Sequence, residues 1–245
     1  MEFKENVALV TGAAVGIGRA VALQMAERGA DLILMDVNLP KLTAVKAECE
    51  AFGGRVLIFE CDVSDEAKVY ELVAEAERAM GRIDILVNNA ALWRCSTPFA
   101  ELSTDVWKRF FDINVFGTVY VTKAVLPGMT ARGYGRVINI GSVAGVYGNK
   151  NMTCYSATKG AVISFTKALA KEVAGNGVTV NAVSPGTVSD SRDENIDAVT
   201  PNELSYMGRT GSDRENADLI CFLAGKGAGY ISGQSIQIDG CRKKI

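Results

Sequence analysis

Short blocks of consecutive apolar residues recur along the chain, separated by longer stretches in which apolar positions return every three or four residues. The blocks fall at 7–10, 31–36, 56–59, 84–91, 137–140, 178–183 and 235–238. Runs this short, apolar at odd and even positions alike, suit strands covered on both faces, as in a parallel sheet. The intervening periodic stretches predict helices over 20–28, 41–52, 66–80, 104–132, 155–174 and 213–224, with Gly53-Gly54 and Gly175-Asn176-Gly177 as stop signals. Strands alternating with helices predict an α/β fold: a doubly wound, seven-stranded parallel sheet with helices on both faces. Right-handed crossovers give it the order 3-2-1-4-5-6-7.

Composition narrows this frame. A length of 245 residues fits one α/β domain spanning 1–245, with no internal repeat, linker or low-complexity tract. No apolar run approaches the ~18 residues a membrane span requires, and the opening MEFKENVALV runs into a strand without a secretory pattern. A cytoplasmic protein without a membrane partner is expected. The net charge is −2, and the one basic cluster, Arg242-Lys243-Lys244, is a terminal tail, so no nucleic-acid surface is expected. Six cysteines (49, 61, 95, 154, 221 and 241) show no CxxC spacing. With no histidine in the chain, a zinc site or redox dithiol is not expected, and the thiols read as free. Cys154, beside Tyr155, reads as a packed small side chain. The lack of histidine also excludes Ser-His-Asp and Cys-His hydrolases and His-ligated metal enzymes. Acid/base chemistry must come from Tyr, Lys, Asp, Glu or Cys.

Three places carry candidate chemistry. After the first strand comes Thr11-Gly12-Ala13-Ala14-Val15-Gly16-Ile17-Gly18 and then a helix. In that context Gly12 allows a tight turn, Gly16 lets backbone approach a pyrophosphate, and Gly18 seats the helix against the strand, while the helix start offers N–H groups to an anion. The second strand ends in Asp36, 18 residues beyond Gly18, where a carboxylate accepts hydrogen bonds from both adenosine ribose hydroxyls and repels a 2′-phosphate. NAD(H) is thereby favoured over NADP(H). Third, Ser142 follows the fifth strand, and Tyr155 and Lys159 lie four apart at the start of an apolar-periodic helix, on one face. A phenol titrates near pH ~10, and a neighbouring ammonium lowers that value. A serine hydroxyl opposite can hold a substrate oxygen while the proton moves. Tyr and Lys four apart also occur on many solvated helix faces, so this pair acquires meaning only with the rest of the chain.

Taken together, TGxxxGxG, the acidic end of the second strand, Asp62-Val63, Asn88-Asn89-Ala90, Asn114, Ser142, Tyr155-x-x-x-Lys159 and Pro185-Gly186 resemble the short-chain dehydrogenase/reductase family in order and context, over the whole chain. The resemblance implies a Rossmann-type domain of the ~250-residue kind and hydride transfer between NAD(H) and a secondary alcohol or ketone. It implies that Tyr155 exchanges the hydroxyl proton, Lys159 lowers the phenol's pKa and holds the nicotinamide ribose, Ser142 positions the oxygen, and Asn114 holds a relay water. Gly12, Gly16, Ile17, Gly18, Asp36, Asp62, Val63, Asn89 and Ala90 are implied for the cofactor, with Pro185, Gly186, Thr187 and Val188 over the nicotinamide. Val15 and Val37 stand where NADP-preferring relatives commonly carry a basic residue. The sequence departs from the pattern at Ala91, which replaces a glycine, and at Asp190, which stands where a threonine binds the carboxamide; Thr187, Val188 or Ser189 is then left to serve. Trp93, Arg94, Val143, Val146 and Met152 are expected at the substrate, which reads as apolar or ring-containing, with Arg94 available for a carboxylate. A lid is expected over about 187–208, and a homotetramer packed through the 104–132 and 155–174 helices. Hydroxysteroid, aryl-alcohol and sugar dehydrogenases resemble the chain in cofactor preference. A 3-oxoacyl-carrier-protein reductase, or a catalytically silent NAD-sensing protein on the same fold, is the alternative.

Overall fold

The apolar blocks form the strands of one sheet in a computed structural model that describes residues 2–94, 96–189 and 195–243. The strands are β1 (Val7–Thr11), β2 (Asp31–Asp36), β3 (Val56–Glu60), β4 (Ile85–Asn88), β5 (Gly135–Ile140), β6 (Val178–Pro185) and β7 (Ser235–Ile238). All pairings are parallel and the order is β3-β2-β1-β4-β5-β6-β7, the order expected from the sequence. The helices between them are α1 (Gly16–Glu27), α2 (Leu39–Glu50), α3 (Glu66–Met80), α4 (Thr104–Phe111), α5 (Gly117–Arg132), α6 (Val143–Tyr147), α7 (Thr153–Val173) and α8 (Asp213–Ala224).

The two-residue period of each strand divides the core into two layers. Ala8 and Val10 of β1, Leu32 and Leu34 of β2, and Val87 of β4 pack with α1, α2 and α8 on one face. Val7, Leu9, Ile33, Met35 and Leu86 pack with α3, α5 and α7 on the other. Burial on both faces explains why these strands read as unbroken apolar runs. At the centre the strand order reverses: β2 lies on one side of β1 and β4 on the other, which opens a crevice at the carboxyl ends of the strands.

Two elements differ from expectation. The stretch 104–132 is not one helix: a π-helical turn, Asp112–Phe116, separates α4 from α5. The stretch 143–153, read as loop, contains the short helix α6, capped by Ser142. Among the described residues no helix is long and apolar enough to cross a membrane, and no cluster of His, Cys, Asp or Glu is arranged to hold a metal ion.

Candidate active site

The crevice is a cleft of about 670 Å³, lined from the β1–α1 loop and the end of β2 at one end to Ser142, Met152 and Tyr155 at the other. At the first end the loop turns on Gly12 and Gly16, with φ of 63° and 59°. The N-cap of α1 is Val15, which has no side-chain acceptor, and the first turn carries no acid, so its N–H groups face the cleft uncapped by a side chain. A Cβ on Gly18 would sit 2.1 Å from the Gly12 carbonyl oxygen and 2.6 Å from Asn89 Nδ2, so α1 approaches the loop closely. Asn89 Nδ2 donates to the carbonyls of Thr11 and Gly12, and the Thr11 hydroxyl accepts from the Asn89 and Ala90 amides, 3.1 Å each. The end of β4 thus braces the loop. Asp36 closes this end: its carboxylate accepts from the Ala14 amide at 3.0 Å and the Asn38 amide at 2.9 Å, which fixes it beside the loop with lone pairs to spare. An uncapped helix start, a glycine cradle and an oriented carboxylate fit a dinucleotide.

At the other end, Ser142 leaves β5 in extended conformation and caps α6, its Oγ accepting from the Ala144 amide at 3.1 Å. The same hydroxyl lies beside Tyr155, on the first turn of α7, close enough to pull the phenol's pKa down. Lys159, one turn further along, is buried, with Nζ donating to the Ile140 carbonyl at 2.6 Å and lying 5.9 Å from the centre of the Tyr155 ring. Burial lowers the Lys159 pKa to about 8. Burial raises that of the Tyr155 phenol, against the pull of the Ser142 hydroxyl. Here burial sets the direction for both groups, rather than a cation beside the phenol. A phenol and a hydroxyl meeting in a cleft can hold a substrate oxygen and exchange its proton.

Asn114 is buried behind this wall rather than lining the cleft. It sits in the π-helical turn, where its side chain accepts from the Leu92 amide at 2.7 Å and donates to the Leu92 carbonyl at 2.9 Å and the Thr158 hydroxyl at 3.0 Å. Its own carbonyl accepts the Thr118 hydroxyl at 3.0 Å. Asn88 belongs to a second buried chain, donating to Thr122 and Asn139, while Asn139 donates to Thr166, each at 2.9 Å. That chain links β4, β5, α5 and α7 beneath the site.

Of the residues singled out from sequence, Gly12, Gly16, Ile17, Asp36, Asp62, Val63, Asn89, Ala90, Ser142, Tyr155, Lys159 and the 185–188 turn line the cleft, as do Trp93, Val143 and Met152. Gly18 lies beneath the loop. Val146 is exposed on α6 away from the lining, and the Arg94 guanidinium lies 4.8 Å over the Trp93 ring, also outside the lining. Cys154 is packed against Phe110. Cys95 and Asp190 lie outside the described residues, as does the 190–194 part of the expected lid. Arg109 of α4, Asn149, Asp213 of α8 and Arg242 of the tail, none of them expected at the site from sequence, also line the cleft. No motif marks them, and only the fold brings them to one place. Asp213 is 7% exposed, and burial pushes its pKa up to about 6 against the pull of Arg19.

A family model described as short chain dehydrogenase matches residues 6–199. The 3-oxoacyl-[acyl-carrier-protein] reductase of Thermotoga maritima is 37% identical over 243 residues, covering 98% of each chain. The 2-dehydro-3-deoxy-L-rhamnonate dehydrogenase (NAD(+)) of a Sphingomonas species is 36% identical, over 96% of this chain and 94% of its own. The crystal structure of an NAD+-bound xylitol dehydrogenase superposes with a TM-score of 0.90 at 31% identity, over 98% of this chain and all of that one.

Proposed function

Because this chain belongs to the short-chain dehydrogenase family, oxidoreductases that act on CH–OH groups with a nicotinamide cofactor, we propose that it moves a hydride between NAD(H) and a secondary alcohol or ketone on an apolar or ring-containing body. The observation that carries this reading is the single cleft that joins the glycine loop and Asp36 to Ser142 and Tyr155. A nicotinamide bound there would supply the redox chemistry, as acceptor of a hydride from an alcohol carbon or donor of one to a ketone. In oxidation the Tyr155 phenolate accepts the hydroxyl proton, and in reduction the phenol donates it. Ser142 holds the oxygen. Lys159, on the next turn, would hold the nicotinamide ribose. Asn114 acts through others, bracing Leu92 on one side and Thr158, the neighbour of Lys159, on the other.

Preference for NAD(H) is supported by the acid at Asp36 and by the lack, among the described lining residues, of a basic side chain next to it in sequence, Val15 and Val37 being the exposed neighbours. A 2′-phosphate there would meet a like charge with nothing to offset it. The body of the substrate lies against Leu92, Trp93, Ile113 and Met152. We assign the lid role to about 187–208; Ser189 and Thr200 within it are tied to Thr210. A homotetramer packed through the α4–α5 and α7 surfaces completes the reading, supported by the half-exposed Phe116 stacked on Tyr120. The relatives described above are named for different substrates, an acyl-carrier-protein thioester, a rhamnonate and xylitol, so the pocket rather than kinship must decide. A 3-oxoacyl-carrier-protein reductase is the second reading, favoured by the likeness to the Thermotoga protein and opposed by Asp36.

Tyr155→Phe tests the assignment. Turnover of any accepted alcohol should fall by at least about 10³-fold, within the range a positioned acid/base contributes, while NADH still binds in a fluorescence titration. Turnover retained in the variant removes Tyr155 from the chemistry.

A further inference from the structure

The far end of the cleft carries a charge pattern that the transfer of a hydride does not call for. The carboxylates that line the cleft are Asp36, Asp62 and Asp213, on the end of β2, the segment after β3, and α8. On the elements around Tyr155 the charged lining groups besides Lys159 are two arginines, Arg109 and Arg242. Neither guanidinium has a carboxylate within ion-pair distance among the described residues; Arg78, Arg94, Arg132 and Arg136 share that state but none of them lines the cleft, whereas Arg19, Arg28, Arg55, Arg82, Arg209 and Arg214 are each paired. The one cation acting on Asp213 is Arg19, so neither arginine at this end is spent on that carboxylate.

Arg242 is held in place by structure on both sides. The tail pairs with residues 204–206, the last part of the 187–208 segment: the Tyr206 amide donates to the Cys241 carbonyl at 3.0 Å, the Lys243 amide to the Leu204 carbonyl at 2.9 Å, and the Ser205 hydroxyl to the Gly240 carbonyl at 2.7 Å. Arg242 Nη2 then donates to Asn149 Oδ1 at 3.1 Å, beside Met152. One partner orients the fork and leaves its other donors unused. Arg109 comes from α4, one turn before Ile113, while its neighbour Phe110 is buried against Cys154. Leu92, Trp93, Ile113 and Met152 line the same cleft and supply its apolar wall.

We infer that the substrate is a hydroxy or oxo acid: a secondary alcohol or ketone whose body rests on this apolar wall and whose carboxylate, away from the reacting carbon, is held by Arg109 and Arg242. A guanidinium fork matches a carboxylate in plane and charge, and an unneutralised pair at the mouth of a cleft also raises the local concentration of anions. Arg109 and Arg242 are then specificity-determining residues. The assignment rests on reading the same site as an alcohol and ketone site, and the test separates the two.

The probes are ring hydroxy acids such as 4-hydroxycyclohexanecarboxylate, each beside its methyl ester, which keeps ring and hydroxyl and removes the charge. With NAD the acid should show a kcat/KM about 10- to 100-fold above the ester, carried by KM, the size expected of charge-assisted hydrogen bonds. Arg109→Gln and Arg242→Gln should each shrink that ratio and the double variant should bring it near one, with Arg242→Lys recovering part of it. Lys108→Gln, which removes a neighbouring exposed charge outside the cleft, should leave the ratio intact. Binding is read independently by quenching of tryptophan fluorescence, Trp93 lying in the wall: the acid should quench at lower concentration than the ester, and less so at high salt. An ester equal to or better than its acid in both measurements, or a preference that survives in the double variant, overturns the inference. Acid-selective quenching without turnover of either compound would uphold the anion site and count against the alcohol and ketone reading instead.

Discussion

Asp213 shows how a residue that matches no motif acquires a property from its surroundings. It begins α8 under a capping box formed by Ser212 and Glu215 and is nearly enclosed, with Arg19 too weak a counterweight to keep its pKa in the ordinary carboxylate range. An acid whose folded-state pKa is raised binds its proton more tightly in the folded chain. The stability this contributes is full below the ordinary carboxylate range and is lost as pH rises through about 6. Asp213→Asn, which cannot ionise, should therefore be more stable than the parent at pH 8, on the order of 1 kcal/mol after allowing for the solvent that reaches the cleft. The difference should vanish near pH 4. Thermal unfolding at the two pH values checks this, and equal midpoints at pH 8 would show that the charge is already compensated. Asp36, Ser142, Tyr155 and Lys159 were legible because their places follow from local order: a strand end, or one turn of a helix. Asp213, Arg109 and Arg242 were not, because nothing near them in sequence marks them as cleft residues. Trp93 was legible as a rim residue, but Arg94 was not legible as its stacking partner, since the next residue along a loop can point either way.

The site is assembled by short elements that periodicity records poorly. Helix α6 has five residues, too few for a 3.6-residue pattern, yet it fixes Ser142 by resting on α7. The contact is made at Gly145, where a Cβ would lie 2.6 Å from both the Gly160 nitrogen and the Lys159 carbonyl carbon. Backbone cannot swing aside as a flexible side chain does, so Gly145→Ala should force α6 away from α7 and move Ser142 from Tyr155. A shift near 1 Å at a reacting group costs up to about 10²-fold. The expected outcome is a drop in kcat of about 10-fold or more with NADH affinity kept, because the glycine loop lies at the other end of the cleft. Steady-state kinetics beside an NADH titration read both, and a folded variant with the parent's kcat would remove this contact from the account. The π-helical turn at Asp112–Phe116 escaped notice for a related reason. One extra residue in a helical turn shifts the phase of the pattern without interrupting it, so 104–132 reads as continuous. Its consequence is local: the widened turn sets Asn114 between Leu92 and Thr158, and Thr118 takes up the Asn114 carbonyl.

At the scale of the molecule, strand number, direction and order were the most legible features, since seven strands buried on both faces and separated by helices leave few other arrangements. The position of the cleft follows from that order, and its charge from which residues the order gathers: Asp36 and Asp62 beyond the ends of β2 and β3, Arg109 and Arg242 from α4 and the tail. The surface is less legible. Phe116, Tyr206, Met207 and Tyr230 are exposed aromatic or apolar side chains with no sequence signal to say what covers them. Assembly through the α4–α5 and α7 surfaces should give a single species of four chains in analytical ultracentrifugation at micromolar concentration, and a monomer under those conditions would remove the tetramer. The central claim, an NAD(H)-dependent site organised by Asp36 at one end and Tyr155 at the other, is met most directly by titrating the protein with NADH and with NADPH and following nucleotide fluorescence. NADH should bind at least about 10-fold more tightly, a difference of roughly 1.4 kcal/mol for a phosphate placed against an uncompensated carboxylate. Equal or tighter binding of NADPH would contradict it and bring the 3-oxoacyl-carrier-protein reductase reading to the front.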